Sequence, residues 1–211
     1  MPTDETEQTP ESVFTTAISI ELGLGVLAIA LGWLTGVDTR QGLPRIEAGQ
    51  WMAIAQGLVL GAAAAVPILI AVQGIERLDW EPIRRLKDVE NLPIVSSLLQ
   101  LSTWELMAIS MAAGVGEELL LRGWLLAWIS GPLNLASPAS LLLALAASSI
   151  AFGLMHLITP TYAAIAAAVG LYLGGLLVWT ENLLVPITAH AVYDAVHLLL
   201  AKYHRGSDPR T

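Results

Sequence analysis

The sequence contains no cysteine, so thiol nucleophiles, disulfide bonds and cysteine-based metal sites are excluded. Charged residues are also scarce, at 13% of the 211 residues, whereas a soluble domain usually carries about 25%. Hydrophobic residues make up 55% of the chain, and the mean hydropathy is +0.65. Because the apolar residues fall in several long runs, this composition indicates an integral membrane protein.

Basic residues are missing from residues 1–12, MPTDETEQTPES, which contribute four acids to a net charge of −8. This composition predicts a disordered acidic tail over residues 1–12. The tail has no positively charged segment of the kind that opens a secretory signal, so we expect the first apolar run to be retained. No basic patch with interleaved aromatic residues occurs anywhere in the chain, so nucleic acid is not an expected partner.

The apolar runs predict an all-α fold, a polytopic transmembrane helical bundle of about six spans. The predicted spans are residues 13–35, 51–75, 104–129, 139–158, 162–180 and 183–200. Residues 76–101 mix charge, tryptophan and proline, which predicts an interfacial amphipathic segment in one or two short pieces. The chain is therefore interpreted as one membrane domain over residues 13–203, with its polar motifs in 104–203, followed by a polar C-terminal tail, 204–211.

The loops favour one orientation of this bundle. If the N-terminus is cytoplasmic, six spans place seven Lys and Arg residues on that side, namely Arg77, Arg84, Arg85, Lys87, Lys202, Arg205 and Arg210. The opposite side then holds only Arg40 and Arg45. Lys and Arg accumulate in cytoplasmic loops, so we expect both termini to be cytoplasmic.

Residues 101–201 include one arginine and no lysine, so the ionisable side chains among them stand out. An acid or arginine at a helix centre costs about 2.5–3.5 kcal/mol on insertion scales and needs a partner, a water-filled cavity or an ion. Glu118 and Arg122 are four residues apart on one helical face and can pair. Glu117 lies about 100° around the helix and is expected to point elsewhere. In the alternative arrangement, all three form one neutralising cluster.

Three histidines lie within or at the end of predicted spans, and two of them, His156 and His190, are candidates for a site. His156 follows Phe152 by one helical turn, and it is either an interfacial residue or part of a site. His190 and Asp194 are four residues apart well inside the last span, where such a pair orients an imidazole or shares a proton. Weaker candidates, which could cap a helix, reach the interface or bind water, are Glu21 and Glu105.

These residues form an ordered set: Glu117-Glu118-x-x-x-Arg122, then Phe152-x-x-x-His156, then His190-x-x-x-Asp194. The set resembles the CAAX protease and bacteriocin-processing (CPBP) family, which includes the type II CAAX prenyl endopeptidases and many prokaryotic abortive-infection and bacteriocin-immunity proteins. The resemblance covers about 100 residues, 104–203, with the motifs in order on successive helices. Asp194 stands where many members of the family have asparagine.

The resemblance implies an intramembrane endopeptidase in which Glu117 and His156 activate a water for attack on a peptide carbonyl. His190 and Asp194 would hold the developing oxyanion or orient the histidine, and Glu118 and Arg122 would play a supporting role. Catalytic zinc is one option, with the ligands Glu117, His156 and His190 and with Asp194 orienting His190. A metal-free glutamate mechanism uses the same residues and stays open.

The partners implied are the lipid bilayer and a peptide substrate: a CAAX-like peptide, a bacteriocin precursor or the tail of a membrane protein. The expected location is the prokaryotic plasma (inner) membrane. Two other functions stay open: a non-catalytic scaffold or immunity protein of the same fold, and a proton-coupled transporter with Glu117, Glu118 and Asp194 as relay groups. Transporters usually show internal repeats and more spans, and this sequence shows no repeat.

A single site imposes a condition on the helices. In plain up-and-down packing, His156 and His190 approach opposite membrane faces and differ in depth by roughly 15–20 Å. A separation above about 12 Å would prevent both from reaching one substrate. We therefore expect some helix to be kinked, unusually long or only partly crossing, and we predict that the helix over residues 162–180 is tilted or short.

Overall fold

A computed structural model describes residues 9–45, 47, 49–87 and 92–206, and within these ranges it holds helices and no strands. Eight helices follow in chain order: α1 (Pro10–Thr35), α2 (Trp51–Glu76), α3 (Glu81–Lys87), α4 (Pro93–Gln100), α5 (Thr103–Ser130), α6 (Pro138–Met155), α7 (Pro160–Thr180) and α8 (Leu184–Gly206). The predicted all-α class is therefore confirmed.

Five of these helices, α1, α2, α6, α7 and α8, are long and apolar enough to cross a membrane. The pair α4 and α5 passes the same test together, with a bend of 116° between them, which gives up to six spans. The protein is a polytopic helical membrane protein, as predicted. The interfacial segment predicted over residues 76–101 contains two short helices, α3 and α4, and residues 88–91 between them lie outside the described residues.

The first span begins at Pro10, earlier than predicted, because Thr9 caps it. The hydroxyl of Thr9 accepts a hydrogen bond from the Ser12 amide at 3.3 Å, and proline suits the first helical turn. Part of each predicted tail is helical, since residues 10–12 belong to α1 and residues 204–206 belong to α8. The remaining tail positions, 1–8 and 207–211, lie outside the described residues.

Helix α5 lies between α1 and α8 and approaches both through glycine. A Cβ atom added to Gly116 would collide with the carbonyl oxygen of Glu21 in α1. A Cβ atom added to Gly114 would lie 2.9 Å from the carbonyl oxygen of Ile187 in α8. Without a hydrophobic driving force between helices in lipid, such close backbone approach is a main source of packing energy. The polar residues of α5 are thereby held against two neighbouring spans.

The lengths of α5 and α6 meet the condition set by the two histidines. Helix α5 covers residues 103–130, or about 42 Å at 1.5 Å per residue, against a hydrocarbon thickness of about 30 Å. Helix α6 has only 18 residues, about 27 Å, and half-buried His156 follows its last residue, Met155. Helix α7 has 21 residues, about 31 Å, so it is not short, and its expected tilt stays a prediction.

The end of the last span is tied to the interfacial segment. Lys202 near the C-terminus of α8 donates hydrogen bonds to the carbonyl oxygens of Leu99 and Leu101, at 3.1 and 2.5 Å. Glu105 caps α5 at the same place, because its carboxylate accepts from the amide and the hydroxyl of Ser102. Glu105 therefore has the capping role considered for it, and the ends of α4 and α8 share one face of the bundle.

Candidate active site

Glu118 and Arg122 of α5 form a buried ion pair, which confirms the predicted pairing. The Nη1 atom of Arg122 lies 2.7 Å from Oε1 of Glu118, and neither side chain is exposed. Nη2 of Arg122 donates to the carbonyl oxygen of Gly170 in α7 at 2.7 Å. The guanidinium carbon also lies 4.9 Å from the centre of the Phe152 ring in α6. Arg122 therefore joins three helices at one point.

His190 of α8 lies between two carboxylates. Its Nδ1 atom is 3.0 Å from Oε1 of Glu118, and its Nε2 atom is 3.3 Å from Oδ2 of Asp194. The predicted contact between His190 and Asp194 is confirmed, and the contact with Glu118 is new. Both contacts are hydrogen bonds if the ring carries two protons, or if one carboxyl is protonated and donates to the unprotonated ring nitrogen. Glu118 thus serves Arg122 and His190 together, which extends its predicted supporting role.

His156 is the residue that ends α6, and its tautomer follows from one contact. Its Nδ1 atom lies 2.9 Å from the carbonyl oxygen of Phe152, which can only accept, so Nδ1 carries the hydrogen. The Nε2 atom of the neutral ring is then a free acceptor. A histidine with this tautomer can receive a hydrogen bond from a water molecule.

The ring of Phe152 brings the two histidines together. Its centroid lies 4.7 Å from that of His156 and 5.5 Å from that of His190. The two imidazole centres are therefore no more than about 10 Å apart, within the roughly 12 Å that one substrate allows. The depth difference expected from plain up-and-down packing therefore does not keep the two histidines apart.

Glu117 is 5% exposed, and its Oε2 atom has no hydrogen-bond partner in the part of the chain that the structure describes. Among the described residues Arg122 forms its ion pair with Glu118 and not with Glu117, as predicted, although Oε2 of Glu118 and Nε of Arg122 also lack hydrogen-bond partners. A buried carboxylate oxygen without a partner costs on the order of 1–3 kcal/mol or more and calls for an explanation. A bound water molecule or a polar group of a substrate would give this oxygen a partner.

Tyr162 belongs to the surroundings of the site but was missed from the sequence. Its ring centre lies 6.0 Å from that of His156, at the start of α7. No four-residue spacing connects Tyr162 to another polar residue, and it follows Pro160 at the edge of an apolar run. Only the turn between α6 and α7 brings it to the histidine, so no sequence signal could have indicated it.

The predicted zinc ligands Glu117, His156 and His190 do not fit a metal site in this arrangement. Within the described ranges, no group of three His, Asp or Glu side chains could hold a metal ion. Both ring nitrogens of His190 face carboxylate oxygens, so neither presents a lone pair to a metal without losing a partner.

An apolar cavity of about 760 Å³ lies between α2, α3 and α7, away from these residues. Ile68, Trp80 and Ile165 are among the residues that line it. None of the buried acids or histidines lines this cavity, so it is not the space in which the polar cluster would act.

Residues 99–196 match the family model described as Rce1-like, type II CAAX prenyl endopeptidase. The matched segment starts at the end of α4 and includes all three motifs, from Glu117 to Asp194. This match confirms the resemblance inferred from the motifs. Neither the curated proteins nor the solved structures contain a match to the chain.

Proposed function

Because residues 99–196 match the family model of the Rce1-like type II CAAX prenyl endopeptidases, we propose that this protein is an intramembrane endopeptidase whose attacking water is activated by Glu117 and His156. The observation that carries the proposal is the buried, unpartnered carboxylate oxygen of Glu117. It lies one residue before Glu118, the acid that holds His190. A base, a histidine and a clamped second histidine thus lie on three adjoining helices.

In the proposed reaction, the water gives one proton to the Glu117 carboxylate while its oxygen attacks the carbonyl carbon of the peptide bond. His156 accepts a hydrogen bond from the water at Nε2, because Nδ1 is committed to the Phe152 carbonyl. The tetrahedral intermediate then collapses, the C–N bond breaks, and the proton passes from Glu117 to the leaving amine. General base catalysis of this kind contributes typically about 10²–10⁴-fold.

His190 is the proposed donor to the oxyanion. Its Nδ1 contact with buried Glu118 is the shorter one, at 3.0 Å, and holds the ring in place. Its Nε2 contact with Asp194 is longer, at 3.3 Å, and the Asp194 side chain is 28% exposed. The carbonyl oxygen of a substrate would take or share this second contact. A fixed donor in a low-dielectric site stabilises the oxyanion by about 2.7–4 kcal/mol.

The proposed substrate is a CAAX-like or bacteriocin-type peptide or the tail of a membrane protein, and the proposed location is the prokaryotic inner membrane with both termini cytoplasmic. The positive-inside rule supports this orientation. The contact of Lys202 with the end of α4 supports it as well, since it groups the C-terminal Lys and Arg residues with the interfacial segment.

The test is cleavage of a peptide library by the purified protein in detergent or liposomes. Wild type is compared with Glu117→Ala and His190→Ala, and the matched control is Glu11→Ala, an exposed acid on α1. We expect each site variant to lose about 10²-fold or more of kcat while the control keeps it. Equal cleavage by all variants would exclude this site, and a folded Glu117→Ala protein that keeps the physiological phenotype would favour a non-catalytic scaffold.

A further inference from the structure

Glu21 of α1 is a half-buried acid with an unpartnered oxygen, and it lies outside the matched family segment. Its Oε2 atom has no hydrogen-bond partner among the described residues. Its backbone carbonyl fills the space that a side chain at Gly116 would need, so α1 contacts α5 directly before Glu117. The backbone of Glu21 thus accounts for the packing of these two helices. Its carboxylate has no part in that packing.

The carboxylate of Glu21 belongs to the charge cluster of the site. It is close enough to Asp194, His190 and Glu117 to interact with them electrostatically. Four acids therefore lie around Arg122 and His190, and one of these acids, Glu118, already holds both of them. The remaining acids are Glu21, Glu117 and Asp194. Like carboxylates grouped in a low-dielectric space need a shared proton or a water between them.

We propose that Glu21 is a positioning residue that holds the attacking water together with Glu117. One hydrogen of the water goes to Glu117, which removes it. The other is shared between Nε2 of His156 and Oε2 of Glu21, which keep it in place. With both hydrogens directed in this way, a lone pair of the water oxygen points at the substrate carbonyl. This inference rests on the proposed endopeptidase function and adds a residue from α1 to the site.

A purely structural role for Glu21 predicts that its replacement lowers the stability of the protein. If the acid is unpaired and costly instead, an apolar side chain of similar size would be neutral or stabilising there. A positioning role instead ties the carboxylate to the rate of the chemical step, since misplacing a reacting group by about 1 Å can cost about 10²-fold. Stability and turnover therefore separate the two roles.

The experiment uses the full-length protein and the peptide that wild type cleaves fastest in the library. Glu21→Leu removes the acceptor, Glu21→Gln keeps a neutral one, and Glu11→Leu is the control for an acid lost from the same helix. We expect Glu21→Leu to lower kcat about 10–100-fold with KM within about twofold and with an unchanged or higher unfolding temperature. Glu21→Gln should recover part of kcat, because its amide oxygen still accepts from water.

Two results would overturn the inference while leaving the proposed function intact. One is wild-type kcat for Glu21→Leu when Glu117→Ala is inactive. The other is a lower unfolding temperature of Glu21→Leu with normal kcat per folded molecule, which would show a structural role. Full activity of Glu117→Ala would instead reject the proposed function itself, so the two failures are distinguishable.

Discussion

Replacing Arg122 by alanine is expected to destabilise the protein much more than replacing Glu117. The Arg122 side chain is fully buried and pairs with Glu118 at 2.7 Å. It also donates to the Gly170 carbonyl at 2.7 Å. Its removal would leave a buried carboxylate without its strongest partner and separate α5 from α7. Glu117, in contrast, has a buried carboxylate oxygen with no partner to lose.

The magnitudes follow from these contacts. Breaking a buried ion pair by removing one partner costs about 3–5 kcal/mol. The lost hydrogen bond to Gly170 belongs to the same side chain, so it is not added as an independent contribution. For Glu117→Ala, the lost burial of the side-chain methylenes, about 0.8 kcal/mol each, is opposed by the removal of an unsatisfied carboxylate. The expected net change at Glu117 is therefore within about 1 kcal/mol.

The assay is thermal unfolding of both purified variants in one detergent at equal concentration. At about 2–4 °C per kcal/mol, Arg122→Ala should lower the midpoint by about 6–20 °C and Glu117→Ala by less than about 4 °C. Arg122→Lys is the matched control and should fall between wild type and Arg122→Ala, since lysine keeps the charge but cannot reach two partners as a planar fork. A larger drop for Glu117→Ala would refute the division between a structural pair and a reactive acid.

Two further predictions concern the metal and the helix packing. Treatment with a chelator should leave the cleavage rate within about twofold of its starting value, because His190 presents no free lone pair to a metal. If the protein instead holds one zinc ion per chain and loses cleavage when that ion is removed, the metal-free mechanism is wrong. Gly153→Ala should lower kcat about tenfold, because its Cβ atom would lie 2.5 Å from the Ala163 carbonyl oxygen and displace His156. Gly175→Ala is the matched control and should behave as wild type, because the space around Gly175 is open. Equal turnover of these two alanine variants would mean that the contact between α6 and α7 does not position the histidine.

Contacts along one helix could be predicted from the sequence, because helical geometry is local. Glu118 and Arg122, and likewise His190 and Asp194, lie four residues apart, and their contacts follow from that spacing alone. The link from Glu118 to His190 could not be predicted in the same way. It depends on how closely α5 approaches α8, and this distance is set by glycine at position 114.

The length of α7 differs from one of the two expectations for it. The two histidines had to be brought to one depth, and the helix over residues 162–180 was expected to be tilted or short. It is not short, whereas the earlier span over residues 104–129 would extend about 39 Å and exceed the hydrocarbon thickness. Apolar composition marks where a helix can lie in lipid but not how far it extends past the membrane face.

The irregular part of α5 begins directly after the reactive acids, and this position matters for the site. Residues Leu119–Leu126 are π-helical, and such a segment carries more residues per turn than an α-helix. A register change at this point alters the direction of every later side chain relative to Glu117 and Glu118. In the resulting arrangement Arg122 reaches Gly170 of α7, while Gly123 packs against the carbonyl of Thr39 after α1. The π-helical segment therefore contacts both α7 and the residues after α1. Neither contact involves Glu117, which lies just before the segment.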